Sequence, residues 1–257
     1  MNIHRHNRKQ SMKKELTIGV LGGMGTYASI HLFRQYAQIF PAQKEWERPR
    51  IIIDNRCTMP SRVRAYLYGE RKEQLIFEMT DSIKGLMKNG CSRIILACNT
   101  AHLFLKDIYS RVPEASEAVV DITEACADEV LSNGEKEIYL LASEGTIASG
   151  IYERAFTSRG ISCVTPEGCD HSRIRDCIEA VKRDQYTDAV RTAFSELMHG
   201  GSSLVLGCTE LPILYERYPK TGSGIRVYDP VQAALIKIHR EYSGEYADDK
   251  GTDVRSI

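Results

Sequence analysis

The sequence predicts an α/β fold made of two similar halves, each built on a parallel sheet. Three observations carry that expectation. Short aliphatic runs without strict alternation recur along the chain, the pattern of strands buried on both faces. Helix-length segments lie between most of them. The chain also echoes itself. Gly25-Thr26-Tyr27-Ala28-Ser29 returns 120 positions later as Gly145-Thr146-Ile147-Ala148-Ser149. The stretch from Gly90 to Cys98 (GCSRIILAC) returns 110 positions later from Gly200 to Cys208 (GGSSLVLGC).

Residues 1–14 are polar and basic and are expected to form a disordered arm. The first strand is expected at 16–21 and the second at 50–54. A helix over 26–40 lies between them, with Pro41 just past its end. A second helix covers 70–89, closed by Asn89-Gly90. Strands follow at 93–97, 119–122, 137–142 and 161–165. A third helix over 184–199 ends at Gly200-Gly201, and strands at 203–207 and 226–229 complete the set. The tail beyond about 243 is polar and is expected to be flexible over 244–257.

The 257 residues carry 34 Lys plus Arg against 34 Asp plus Glu, a formal charge of zero. A nucleic-acid partner is not expected without a basic excess. No run of about 18 apolar residues occurs, so no membrane-spanning helix is expected. The basic N-terminus has no apolar stretch behind it, which speaks against a secretory signal. The eight cysteines therefore read as reduced thiols in the cytoplasm. They form no C-x-x-C pair, so no structural metal is expected.

Two of the cysteines stand apart. Cys98 and Cys208 each close a buried strand, and each is followed by polar residues: Asn99-Thr100 and Thr209-Glu210. A helix is expected to start just after each. Ligands in α/β proteins bind beyond the carboxyl ends of the strands. Backbone N–H groups at a helix start attract anions and lower a thiol pKa from its free value of about 8.5. Two such halves facing each other would set one thiol on each side of a shared ligand. A thiolate on one face then removes a Cα proton and a thiol on the other returns one, inverting the centre.

With these residues in view, the chain resembles the aspartate/glutamate racemase superfamily, most closely its aspartate racemase branch. The matching stretches are the loop from Ile18 to Gly25 (IGVLGGMG), Cys98-Asn99-Thr100-Ala101-His102, and Gly207-Cys208-Thr209-Glu210. The resemblance covers roughly residues 16–242. It implies a racemase that needs no cofactor, with two Rossmann-like domains enclosing the active site. It also implies that the C-terminal helix returns to the first domain. The expected units are then 15–121 plus 225–243, and 122–224. Cys98 and Cys208 resemble the two acid/base residues. Asn99, Thr100 and Ala101 resemble the loop that holds the substrate carboxylate and amino group, and Met24 a substrate-loop position. Arg62, in Met59-Pro60-Ser61-Arg62, resembles the side-chain carboxylate anchor, and Lys182 a second anchor. Thr146 and Thr209 are expected donors on the mirrored loops. The expected ligand is an acidic amino acid and the expected assembly a homodimer.

The chain departs from that pattern at Thr26-Tyr27, where family members often carry Pro. Other readings stay open: glutamate or broad specificity, a hydantoin racemase, or a maleate isomerase-like enzyme. A non-catalytic acidic amino-acid binding protein is the reading from another class. The loop around Gly19, Gly22, Gly23 and Gly25 lacks G-x-G-x-x-G spacing, and no P-loop occurs. His102 would either tune Cys98 or pack its helix, and Glu210 would either orient Cys208 or cap the helix after it.

Overall fold

A computed structural model describes residues 16–199, 201–219 and 224–243. The expected N-terminal arm and C-terminal tail lie outside the described residues. The strands are β1 (Thr17–Gly22), β2 (Arg50–Asn55), β3 (Arg93–Leu96), β4 (Glu137–Ala142), β5 (Ser162–Val164), β6 (Ser203–Gly207) and β7 (Arg226–Tyr228). In the first part of the chain the helices are α1 (Thr26–Ile39), α2 (Arg62–Tyr68), α3 (Lys72–Lys88), α4 (Leu105–Arg111), α5 (Ala115–Ala118) and α6 (Ile122–Ser132). In the second part they are α7 (Glu144–Ser149), α8 (Ile151–Thr157), α9 (Asp170–Lys182), α10 (Asp188–Leu197), α11 (Leu211–Arg217) and α12 (Pro230–Ser243). The fold is mixed α/β with two parallel sheets, ordered β2-β1-β3 and β5-β4-β6-β7.

The aliphatic runs pair as buried parallel strands because both of their faces find cover. Ile18 and Val20 of β1 point into a core that also holds Ile138, Leu140 and Ala142 of β4 and Val205 of β6. The alternate residues point the other way, Leu21 onto α3 and Leu141, Leu204 and Leu206 onto α9 and α10. This period of two gives each sheet one face in a common core and one under its own helices. The common core is completed by α6 and α12, which pack on each other.

Three expected elements differ. The strand over 119–122 shrinks to a single bridge between Val119 and Ile94. Asp121 stops it, because its carboxylate accepts the Thr123 and Glu124 N–H groups and starts α6 at Ile122. The helix expected from 184 begins at Asp188, capped by the Thr187 hydroxyl, while Asp184 takes a left-handed turn at φ 56°. In the segment 225–243, β7 pairs with β6 of the second sheet, whereas α12 lies against α1, α6, β3 and β6. The segment therefore bridges the two sheets instead of joining only the first.

Candidate active site

The carboxyl ends of β1, β3 and β6 carry the loops that the sequence singled out. Cys98 follows β3 and opens a 3-10 turn over Asn99–Phe104. Its extended backbone (φ −165°, ψ 121°) turns the chain out of the sheet, and the Ala101 N–H closes back on the Cys98 carbonyl at 3.2 Å. Cys208 holds the corresponding position after β6, with Thr209 and Glu210 leading into α11. Both cysteines are half-buried.

Side chains from the two sequence halves meet at the turn that follows Cys98. The hydroxyls of Thr100, Ser143 and Thr146 form a triangle with sides of 2.9, 3.0 and 3.1 Å. Ser143 caps α7 by accepting the Thr146 N–H. The Tyr152 hydroxyl donates to Asn99 Oδ1. Asn99 is buried, and its Nδ2 amide has no partner. Thr209 Oγ1 lies 3.4 Å from the Ala97 carbonyl and 3.3 Å from Glu210 Oε2.

The Cys208 S–H donates to Glu210 Oε2 at 3.0 Å. Burial, the Glu210 carboxylate with this hydrogen bond, and the nearby Cys98 together push the Cys208 thiol well above its ordinary pKa, with Lys182 opposing. The contact of Thr209 with the Ala97 carbonyl joins the residues beside the two thiols, so the two strand ends meet. Lys182, the last residue of α9, bonds Glu179 at 3.0 Å. Burial draws its pKa down, but Glu210, Glu179 and Cys208 more than offset this and raise it.

His102 does not touch the Cys98 thiol. Its Nδ1 bonds the Cys98 carbonyl at 3.0 Å, and its Nε2 lies 3.4 Å from the Ile122 N–H. Through these two contacts His102 ties the turn after Cys98 to the start of α6. Glu210 makes no side-chain cap of α11 and instead contacts Cys208, which decides between its two expected roles.

Arg62 begins α2 after its Ser61 cap. Its Nη2 donates to the Met24 carbonyl at 2.8 Å and its Nη1 to the Pro60 carbonyl at 3.0 Å, while Nε is buried without a partner. Met24 and Ala101 are buried. Ser143 and Tyr152 were not singled out beforehand. Ser143 carries a legible cap signal three residues before Thr146, whereas a buried tyrosine looks like any core aromatic. A surface cavity of about 410 Å³ lies elsewhere, lined by Asp54, Ser82, Lys84 and Lys88 among others. Among the described residues no three His, Cys, Asp or Glu side chains gather to hold a metal ion. No helix among them is long and apolar enough to cross a membrane.

A family model described as Asp/Glu/Hydantoin racemase matches residues 21–237. The broad specificity amino-acid racemase RacX of Bacillus subtilis is 27% identical over 203 residues, covering 76% of this chain and 85% of that protein. A glutamate racemase of Roseobacter denitrificans is 29% identical over 187 residues, covering 66% and 68%. The solved structure of an aspartate racemase from Picrophilus torridus superposes with a TM-score of 0.72 at 26% identity, covering 89% of this chain and 98% of that one.

Proposed function

The chain belongs to the Asp/Glu/hydantoin racemase family, and from that premise we propose that it interconverts the L and D forms of an acidic amino acid, aspartate first, without a cofactor. The observation that carries this is the pair of thiols. Cys98 and Cys208 close corresponding strands of the two sheets, and Thr209, next to Cys208, bonds the carbonyl of Ala97, next to Cys98.

The chemistry follows from where the groups stand. One sulfur takes the Cα proton as a thiolate and the other delivers a proton to the opposite face. The Cα–H of an amino acid is a weak acid, so fixed donors must stabilise the charge that develops on the carboxylate. Asn99 supplies such a donor. Its Oδ1 is occupied by Tyr152, which leaves the unpartnered Nδ2 hydrogens for a ligand. Thr100, Thr146 and Thr209 supply hydroxyls, and Ala101 with Met24 supplies backbone walls. Arg62 serves as the anchor for the distal carboxylate, since a guanidinium can grip a carboxylate with two parallel hydrogen bonds. Lys182, at the end of α9, would serve as the second anchor. A distal anchor favours a dicarboxylic amino acid over a hydantoin, which has no such group. Aspartate and glutamate differ by one methylene, worth only about 1–3 kcal/mol of discrimination in a pocket. All eight cysteines are free, in keeping with a reducing cytosol, and a homodimer is the assembly that the family resemblance implies.

The test is to incubate L-aspartate with purified protein in D₂O, with no pyridoxal phosphate added, and to repeat it with glutamate and alanine. The expected result is deuterium at Cα accompanied by the D form, fastest with a dicarboxylic substrate. Binding of aspartate with no Cα exchange would instead support a binding protein.

A further inference from the structure

Cys98 and Cys208 hold corresponding places, yet among the described residues a carboxylate accepts a hydrogen bond from Cys208 alone. Resting on the two-thiol proposal, we propose that Glu210 is a positioning residue that keeps the proton on Cys208 in the ligand-free protein. Cys208 then enters turnover as the acid, while Cys98 takes the Cα proton from the other face.

The geometry is specific. Glu210 is 3% exposed and sits between Cys208 and the Gly22–Gly25 loop of the first sequence half. Its Oε2 accepts the Cys208 S–H at 3.0 Å. Its other oxygen faces Gly25, where a Cβ would lie 2.2 Å from Oε1. Gly25 is extended (φ −177°), a conformation open to any residue, so the carboxylate itself is what excludes a side chain there. The titratable groups around Cys208 are Glu210 on its own segment, Cys98 after β3, Lys182 from α9 and Tyr152 from α8. Burial first, then neighbouring charges including Cys208, keep Tyr152 a neutral phenol. Among these groups Lys182 is the cation, and it opposes the rise of the Cys208 pKa.

The proton count closes. Cys208 gives its proton to Cα, the Cα–H proton stands on Cys98, and the thiolate left on Cys208 faces the Glu210 carboxylate. Two adjacent anions are unfavourable, so Cys208 regains a proton from solvent while Cys98 loses one, and the starting form returns. L and D substrates have equal energies, so kcat/KM is the same in both directions. The signature of Glu210 is therefore the alkaline limb of the pH profile, where Cys208 loses the proton it must donate.

The test uses full-length Cys98→Ser protein, in which alkylation of Cys208 by iodoacetamide is followed across pH by peptide mass spectrometry. Glu210→Gln keeps the shape and removes the charge. It should move the Cys208 midpoint down by at least about one pH unit, a tenfold change in thiolate at a given pH. Gly25→Ala displaces the carboxylate and should move it the same way. With Cys98 intact, the alkaline limb of kcat/KM should follow. A midpoint unmoved in both variants, or a rise in KM with the alkaline limb in place, would overturn the proposal. Alkylation needs no turnover, so a protein that exchanged no Cα proton would refute the racemase proposal and still report on Glu210.

Discussion

Tyr152→Phe isolates one bond that the site depends on. Tyr152 is fully buried, its ring stacks on Phe156 at 5.9 Å between centroids, and its hydroxyl donates to Asn99 Oδ1. Phenylalanine keeps the ring and its packing, so the cavity term is small. What is lost is the partner of a buried acceptor, which costs about 1–3 kcal/mol. Asn99 is already without a partner at Nδ2, so the variant leaves both ends of its amide unpaired. Nothing then favours one amide orientation over its 180° flip. If half the molecules present the oxygen where the donor stood, apparent affinity falls about twofold by population alone. Urea unfolding should therefore show a clear stability loss of that size, and substrate saturation a modest rise in KM. An unfolding midpoint equal to the parent protein would refute the claim that this bond holds Asn99. So would a loss of affinity of a hundredfold or more, which a flipped amide cannot supply.

Three further outcomes are expected. Arg62→Ala should lower kcat/KM for aspartate by about 10- to 150-fold, the worth of hydrogen bonds to a charged group, and leave alanine nearly untouched; equal losses for both would remove Arg62 as the distal anchor. Asp121→Ala should destabilise the protein by about 0.5–2 kcal/mol through loss of the α6 cap. Although burial pulls the Asp121 pKa upward, His102 and the Thr123 and Glu124 hydrogen bonds hold it below its ordinary value. Its contribution is thus complete above the unfolded value of about 3.9 and is lost as pH falls through the folded one; urea titrations of parent and variant should converge only in acid, and a gap unchanged with pH would contradict the assignment. In brief iodoacetamide labelling at pH 8, of the six cysteines other than Cys98 and Cys208 the exposed Cys57 and Cys169 should react first, while burial and Glu153 push Cys163 up to about 12 and keep it silent; early labelling of Cys163 would count against its environment.

The fold was legible because buried parallel strands leave short aliphatic runs, and the internal echo paired Cys98 with Cys208. What periodicity could not show were the contacts made across the two halves. The bond from Tyr152 to Asn99 joins residues 53 positions apart, and the seat of Glu210 on Gly25 depends on how the two sheets face each other. The strand expected at 119–122 failed for a local reason: Val119 is extended and bridges Ile94, but the capping Asp121 turns the chain into α6 two residues later. Ser61 is itself a cap signal that starts α2 at Arg62, a local cue separate from the motif in which Arg62 resembles an anchor. In the 225–243 segment, the short strand β7 carried no mark of which sheet it would join.

The most direct measurement is Cα deuteration and inversion of aspartate by Cys98→Ser and Cys208→Ser, each assayed alone in D₂O. If two sulfurs share the work, each replacement should lower racemisation by about 10²–10⁴-fold, the usual worth of a positioned acid or base. One variant should still exchange Cα hydrogen without inverting it. Racemisation at the parent rate in either variant would contradict the paired-thiol mechanism outright.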